Sequence, residues 1–355
     1  MARDLDLEGW LRLTLVPGLG PAALRALMGR FGLPAQVLGH REALPPEVSR
    51  AMDSELVSSA VAGALDWLAQ PGRALVTLAD AEYPRLLLEI PDPPAVLYCR
   101  GRVELLAQPS LAVVGSRNAT PQGLRDAENF SRAFSAAGIT IVSGLAQGVD
   151  AAAHRGGLAG GGSTIAVLGT GVDRVYPQSN AALAADIERD GLLLSEFPLG
   201  TRALPHHFPR RNRLISGLAR GCLVIEAALA SGSLITARAA ADQGRDVFAL
   251  PGSIHSPLSK GCHALIKSGA KLVESAADVL AELPGYRLQT GTLPATADSD
   301  GAHPLLSQMG ADPVDVDTLC ARSGRTPAQV SAELLTLELA GRVAALPGGL
   351  YQKLH

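Results

Sequence analysis

The chain has 355 residues, of which 47% are hydrophobic and 18% charged, and its formal net charge is −3. These proportions predict two or three globular domains with ordinary apolar cores, and they argue against a protein coated in positive charge. No run reaches the ~18 apolar residues of a membrane span, and the acidic N-terminus is untypical of a signal peptide. We therefore expect a cytoplasmic protein with no membrane partner.

Residues 1–72 are predicted to form a helical domain. Two amphipathic segments flank "PGLG" at residues 17–20, a pattern typical of a helix-hairpin-helix or of a sterile-alpha-motif-like bundle. The N–H groups of such a hairpin can face a phosphate, but a plain interhelical turn explains the same residues. We expect the plain turn, because only Arg25 and Arg30 lie nearby.

Residues 73–283 alternate short apolar runs with amphipathic helical segments. Repeated βα units of this kind predict a Rossmann-like α/β domain, in which helices cover both faces of a parallel sheet. Ligands of such a sheet lie beyond the carboxyl ends of its strands. The predicted strands are 111–114, 139–142, 164–168, 192–194, 223–225, 247–250 and 271–273, and the predicted helices include 124–137, 151–159, 181–189 and 234–243.

Three loops at these predicted strand ends carry residues that suit a phosphate. Glycines let a backbone approach a ligand closely, hydroxyls and the free N–H groups of a helix start donate hydrogen bonds, and an arginine offers a two-pronged donor. The residues are Gly115, Ser116 and Arg117 in "VVGSRNATPQG", Ser143, Gly144 and Gly148 in "VSGLAQGVDAAAH", and Ser231, Gly232 and Ser233 in "SGSLITA".

The segment "PHHFPRRNRLISGLARG" at residues 205–221 places Arg210, Arg211 and Arg213 in the first turn of a predicted helix. A helix N-terminus already carries partial positive charge, so cations are disfavoured there by about 0.3–1 kcal/mol each. No Asp or Glu occurs from Phe197 to Leu223. The arginines therefore predict an anion bound nearby.

Gly, Pro, Thr and Asp dominate residues 284–304, which predicts a linker, and residues 305–355 have the pattern of a winged-helix domain. Thr326, Pro327 and Gln329 predict a capping box that opens its third helix. That helix offers Glu333 and Glu338 where a groove-reading helix would show Arg or Lys. We interpret this domain as an accessory or interaction module.

Sequence signatures of catalysis and of cofactor binding are missing. The chain has no GxxxxGK[ST], no GxGxxG after the first strand and no GxSxG. The adjacent His206 and His207 have no carboxylate or thiol nearby, and the four cysteines lack CxxC spacing, which favours buried or idle thiols. We therefore predict no cofactor, no metal and no catalytic residue.

Six motifs in this order resemble the bacterial DNA-processing protein A (DprA/Smf) family. They are "VVGSRNAT", "SGLAQGVDAAAH", "LGTGVDRVYPQSN", "SEFPLGTRALPHHFPRRNRLISGLARGCLVIEA", "SGSLITARAAADQGRDVFALPGS" and "KGCHALIKSGAKLV". The resemblance is close over residues 75–283 and looser over the flanking helical and winged-helix domains. It implies a protein that is not an enzyme, binds and protects single-stranded DNA, forms a homodimer and helps to load RecA in natural transformation and recombination.

The resemblance also assigns roles to single residues. It places the family's GSR motif on Gly115, Ser116 and Arg117 and its glycine loop on Ser143 to Gly148, and it implies that the anion near the arginine-rich helix is the DNA backbone. The family's RNR motif falls on Arg211, Asn212 and Arg213, and Arg174 takes a position that is often basic.

Three aromatic residues and two acids near these motifs leave their roles open. Tyr176, Phe197 and Phe208 can stack on bases or pack in the core. Asp150 and Glu226 are expected to organise the loops and arginines rather than to perform acid–base chemistry.

Two rival functions remain, together with one expectation about assembly. A Rossmann-like enzyme that hydrolyses nucleotides, of the lysine-decarboxylase-like type, would carry PGGxGT in the sheet domain, whereas "PGG" occurs only at residues 347–349. A protein-binding adaptor would show no DNA affinity. The resemblance places the homodimer contact in residues 260–280, where Ala264, Leu265, Leu272 and Val273 are the apolar candidates.

Overall fold

The computed structural model describes residues 2–283, 303–310, 313–346 and 348–354. Helices form the first part of the chain, and Ser54 caps the last of them by accepting a hydrogen bond from the Val57 N–H. The segment at residues 17–20 is a turn between two helices, with Gly18 at a φ of 87°. The helices are α1 (Ala2–Leu15), α2 (Pro21–Phe31), α3 (Pro34–Gly39), α4 (Pro46–Ala51) and α5 (Glu55–Leu68).

A sheet with the order β1-β2-β6-β5-β4-β3-β7-β8-β9 follows. The seven strands from β6 to β9 in this order run parallel, whereas β2 is antiparallel to both β1 and β6. The strands are β1 (Arg73–Thr77), β2 (Val96–Gly101), β3 (Ser110–Val114), β4 (Thr140–Ser143), β5 (Thr164–Val167), β6 (Leu192–Ser195), β7 (Gly221–Val224), β8 (Asp246–Ala249) and β9 (Lys271–Leu272).

Helices cover both faces of the sheet, which confirms the predicted Rossmann-like architecture. One face packs against α10, α11 and α12, and the other against α7, α8 and α13. The N-terminal helices share a core with α9 and the β1–β2 end of the sheet. The remaining helices are α6 (Arg85–Leu88), α7 (Pro121–Ala136), α8 (Val149–Leu158), α9 (Ala181–Asp190), α10 (His207–Leu218), α11 (Ser233–Asp242), α12 (Lys260–Lys267) and α13 (Ala276–Glu282).

The strand order reverses at β3. From β3 the chain moves to β4, β5 and β6 on one side, and it then returns to add β7, β8 and β9 on the other. Ligands of doubly wound sheets bind in the crevice outside the carboxyl ends of the strands at such a point. The three loops singled out in the sequence follow β3 and β4 and precede α11, so they lie at this carboxyl edge.

The C-terminal part has the predicted winged-helix fold, with a three-stranded sheet in the order β10-β12-β11. The predicted capping box is confirmed, since Thr326 and Gln329 each accept a hydrogen bond from the other's backbone N–H. The predicted linker lies mostly outside the described residues. The elements are α14 (Pro304–Gln308), β10 (Val314–Asp315), α15 (Val316–Ser323), α16 (Pro327–Leu339), β11 (Val343–Leu346) and β12 (Leu350–Lys353).

Candidate nucleic-acid interface

The loop after β3 rests directly on the loop after β4. Gly148 has a φ of 77°, and a Cβ atom there would lie 2.2 Å from the carbonyl oxygen of Ser116. The Val149 N–H donates to that same carbonyl over 3.1 Å. Only glycine permits this approach, and the packing presents the next residue, Arg117, to solvent.

The loop after β4 is held by a buried carboxylate. The N–H groups of Gly144 and Ala146 donate to Asp150 Oδ2 over 3.2 Å and 3.4 Å. Burial raises the pKa of Asp150, and the Arg211 charge opposes that rise. The Ser143 hydroxyl is also buried and donates to the Val113 carbonyl over 2.6 Å, so it binds the neighbouring strand rather than a ligand. The expectation that Asp150 organises the loop is confirmed.

Arg211 lies beneath the loops rather than on their surface. The residue is 4% exposed, and its Nη1 donates to the carbonyl oxygens of Gly144 and Val167, both at 2.5 Å. Burial lowers its pKa to about 10, and the nearby Asp150 charge counteracts the shift. Arg211 is therefore buried among backbone carbonyls, in the field of the Asp150 carboxylate, whereas the resemblance places it against bound DNA.

The neighbouring arginines also have a protein counter-charge, so the prediction that they lack one is wrong. Glu196 stands directly before the acid-free window, and its Oε2 accepts from Arg210 over 3.1 Å and from Arg213. Arg213 also donates to the Asp92 carbonyl, and its side chain is 17% exposed. The Arg210 side chain is 44% exposed, so part of it remains accessible to a ligand.

Helix starts contribute partial positive charge to the same edge. α8, α10 and α11 begin without a side-chain cap. At α11, the hydroxyls of Ser231 and Ser233 bond to each other over 2.7 Å, and the exposed Gly232 accepts from Asn212 Nδ2 over 3.4 Å. The arginine-rich helix thus connects the second and third predicted loops.

The start of α7 is closed to an external anion by Glu226. This carboxylate accepts hydrogen bonds from the Thr120 N–H over 2.9 Å and from the Thr120 hydroxyl over 2.7 Å. Burial raises the pKa of Glu226. The residue acts as an organising group, as expected from the sequence.

Exposed cations and aromatic rings meet above the strand ends. Arg117 and Arg174 are exposed, and neither forms a salt bridge within the described part of the chain. The guanidinium carbon of Arg117 lies 5.9 Å from the centroid of the partly exposed Phe208 ring. Tyr176, at 51% exposure, lies 5.6 Å from Phe208 between ring centroids. We call Arg117, Tyr176 and Phe208 the stacking platform.

Phe197 and Arg220 do not belong to this surface. Phe197 is 4% exposed and stacks on His207 with the centroids 4.3 Å apart, so of its two possible roles the structure shows core packing. Arg220 precedes β7 and lies at the opposite, amino edge of the sheet.

Over the described ranges, no group of three or more His, Cys, Asp or Glu side chains is placed to hold a metal ion. Cys99, Cys222 and Cys262 are buried, and Cys320 is partly buried. The helices of this same part of the chain include none long and apolar enough to cross a membrane.

The fold and this edge define a class: a Rossmann-like α/β protein with cationic loops at the topological switch point and a winged-helix domain. Residues 74–284 match the model of the family DNA recombination-mediator protein A, and residues 289–349 match that of the DprA winged helix domain. The chain belongs to the DprA/Smf family, which confirms the resemblance seen in the sequence.

Several relatives share long parts of the chain. Protein Smf of Escherichia coli is 44% identical over 81% of this chain and 80% of its own length. DNA processing protein DprA of Streptococcus pneumoniae is 51% identical over 58% of this chain and 73% of its own. A crystal structure of the pneumococcal protein has a TM-score of 0.65 at 40% identity, covering 77% of this chain and 96% of that one.

A solved structure from Helicobacter pylori concerns the single-stranded DNA binding mode of its DNA processing protein A. It is 31% identical with a TM-score of 0.53, and it covers 58% of this chain and 93% of that one.

Proposed function

We propose that this protein binds single-stranded DNA along the carboxyl edge of its parallel sheet. The observation that carries the proposal is Arg117, an exposed arginine without a salt bridge to any described residue, placed over the ring of Phe208. A guanidinium beside exposed rings suits a single strand, because phosphates pair with the cation while unpaired bases stack on the rings. The relative from Helicobacter pylori, whose structure concerns single-stranded DNA binding, supports the same conclusion.

The predicted contact residues divide into two groups in this proposal. Arg117, Arg174 and Arg210 are the arginines with exposed guanidinium groups, and they contact phosphates. The other residues shape the surface or offer groups from the loops and helix starts. These are Gly115, Ser116, Ser143, Gly144, Gly148, Arg211, Asn212, Arg213, Ser231, Gly232 and Ser233.

Family membership supports a proposal for the wider role. We propose that the protein acts in the cytoplasm without catalysing a reaction, protects incoming single strands and helps to load RecA as a homodimer during natural transformation and recombination.

A binding comparison tests the core of the proposal. Fluorescence anisotropy should be measured with a labelled single strand and with a duplex of the same length, at about 50 mM and about 200 mM salt. We expect tighter binding of the single strand at both concentrations. Equal or tighter binding of the duplex would contradict the proposal, and no binding of either would favour the adaptor function. Release of free base from a nucleotide by the purified protein would favour the hydrolase.

A further inference from the structure

A buried histidine, His154, lies under the loop that follows β4. It stands one turn after Asp150 on α8 and is fully buried, and the N–H of Leu145 donates to its Nε2 over 3.2 Å. On the other side of the ring, Nδ1 lies 2.7 Å from the hydroxyl oxygen of Thr164 on β5. The histidine ends the motif "SGLAQGVDAAAH" but is not part of the DNA-binding surface.

These two contacts define the protonation state of the ring. The Thr164 hydroxyl donates its single hydrogen to the Ile141 carbonyl oxygen, 2.8 Å away, so it accepts from His154 Nδ1. A backbone N–H can only donate, so Nε2 is the nitrogen without a proton. Burial and the Arg211 charge lower the pKa of His154 to about 3, which keeps the ring neutral. The imidazole is therefore a fixed acceptor for the loop.

Leu145, the residue that donates to this ring, has an uncommon backbone conformation. Its φ of 57° lies in the left-handed region, which costs free energy for a residue with a Cβ atom. Its side chain is fully buried in the core that the N-terminal helices share with α9. On the other side of the turn, Asn180 Nδ2 donates to the carbonyl oxygens of Leu145 over 2.9 Å and Ala146 over 3.2 Å. His154 and Asn180 thus hold the turn from both sides.

The turn at Leu145 determines where the loop after β3 lies. Gly148 follows it by three residues and approaches Ser116 so closely that a Cβ atom there would lie 2.2 Å from the Ser116 carbonyl oxygen. The next residue in that loop is Arg117, which carries the proposed phosphate contact. A change in the turn would therefore move the ledge on which Arg117 is placed.

We propose that His154 and Asn180 are positioning residues for single-strand binding, which hold Leu145 in its left-handed conformation and, through Gly148, place Arg117. This inference rests on the proposed function. His154 is fully buried and acts without touching DNA. If the turn relaxes, fewer molecules have a binding-competent edge, and the apparent affinity falls by the same factor.

Two substitutions of His154 test the role. His154→Phe keeps a ring and removes the acceptor, whereas His154→Gln keeps an acceptor oxygen at the end of the side chain. We expect His154→Phe to weaken binding of a mixed-sequence single strand about fivefold, within the contribution of one neutral hydrogen bond, and His154→Gln to stay within about twofold of the unmodified protein. Without DNA, hydrogen–deuterium exchange of residues 144–148 should be faster in His154→Phe than in His154→Gln.

Ser135→Ala separates positioning from stability. Ser135 is fully buried, donates to the Gly157 carbonyl over 2.6 Å and accepts from the Ser163 N–H over 3.0 Å, at the end of α8 away from the loop. Its replacement should lower the free energy of unfolding in urea and leave DNA affinity unchanged. Equal losses of affinity in Ser135→Ala and His154→Phe would mean that general destabilisation weakens binding, and they would overturn the positioning role.

Asn180→Ala decides the question if His154→Phe does not fold, because Asn180 is only partly buried. We expect weaker binding and faster exchange of residues 144–148. Normal affinity of Asn180→Ala or of folded His154→Phe would overturn the proposal and leave single-strand binding intact. A loss in His154→Gln as large as that in His154→Phe would overturn it too, because the acceptor would then be irrelevant. If the unmodified protein binds no single strand, the proposed function and the positioning role are both wrong.

Discussion

Arg117 lies over Phe208, with 5.9 Å between its guanidinium carbon and the ring centroid, although the two residues come from different edges of the crevice. Arg117 follows β3, whereas Phe208 stands in the first turn of α10. The contact joins the first predicted loop to the arginine-rich helix. It also holds the long arginine side chain in place, which reduces the entropy lost when a phosphate binds.

Replacing Arg117 by alanine should weaken single-strand binding about tenfold, within the range for a charge-assisted hydrogen bond. The loss should be similar for strands of different sequence, because phosphate contacts carry no sequence information. Anisotropy titrations with several mixed-sequence strands measure this.

Arg220→Ala is the matched control for that experiment. It removes another exposed arginine, at the opposite edge of the sheet, and should leave affinity nearly unchanged. Equal losses in the two variants would mean that overall charge, rather than this edge, determines binding.

The salt dependence of binding should be modest. Each phosphate contact on a single strand contributes about 0.7 to the slope of log affinity against log salt. Arg117, Arg174 and Arg210 are exposed at this edge, so we expect a slope of roughly two. A slope near zero would contradict phosphate binding. A slope well above three would show that buried arginines also reach the strand.

Arg211 should matter for folding more than for DNA contact. Its replacement by methionine leaves the buried Asp150 without its positive neighbour and two carbonyls without a donor. Each buried carbonyl left without its donor costs about 1–3 kcal/mol, so we expect a loss of about 2–5 kcal/mol. Urea unfolding should show a loss of that size, with DNA affinity falling as the protein unfolds. Arg117→Ala is the comparison, and it should retain stability. If Arg211→Met is as stable as the unmodified protein but no longer binds DNA, Arg211 contacts DNA directly.

The parallel core of the fold was predictable, because each strand is a short apolar run bounded by turn residues and followed by an amphipathic helix. The predicted strand 111–114 is part of β3 (Ser110–Val114), and 247–250 overlaps β8 (Asp246–Ala249). The antiparallel strands β1 and β2 were missed, because only a loop with the four-residue α6 joins them and no βα repeat marks them.

The site was predictable as a set of loops but not as a set of exposed charges. Sequence spacing placed Arg210, Arg211 and Arg213 on one helical turn, yet it carried no information about which of them points inward. Glu196 stands just outside the acid-free window, and its role depends on how β6 lies against α10. Burial depends on tertiary packing. Arg117 and Arg211 both lie in motifs assigned to DNA binding, so the sequence could not tell that one is exposed and the other buried.

Protonation of Asp126 should stabilise the protein. Burial raises its pKa from 3.8 to about 6, against an opposing hydrogen bond from Gln122. Between the unfolded and the folded pKa, the folded state binds more protons than the unfolded state. The charged carboxylate therefore lowers the free energy of unfolding by its full amount above pH about 6, and this loss disappears toward pH about 4. Asp126→Asn should therefore stabilise by about 1–2 kcal/mol at neutral pH and by less than half of that near pH 4.5.

Denaturant unfolding at the two pH values measures the effect, with Asp66→Asn as a control on an exposed position of α5. The control should change stability little at either pH. If Asp126→Asn changes stability equally at both pH values, the charge of Asp126 does not destabilise the folded state.

Leu272 is the residue on which we expect the homodimer to depend. Of the four apolar candidates, Val273 is fully buried, Ala264 and Leu265 are partly buried, and Leu272 is 46% exposed. It stands on β9, the outermost strand of the sheet, where an unpaired edge and an apolar side chain together suit a symmetric contact. Leu272→Glu should therefore yield monomers in sedimentation at micromolar concentration.

These monomers should bind single strands more weakly, because a dimer presents its second DNA-binding edge at high effective concentration once the first is bound. Leu339→Glu is the control, since it places the same charge on an exposed leucine, at 83% exposure, of the winged-helix domain. It should leave the dimer intact. If the unmodified protein sediments as a monomer at micromolar concentration, the proposed homodimer is wrong.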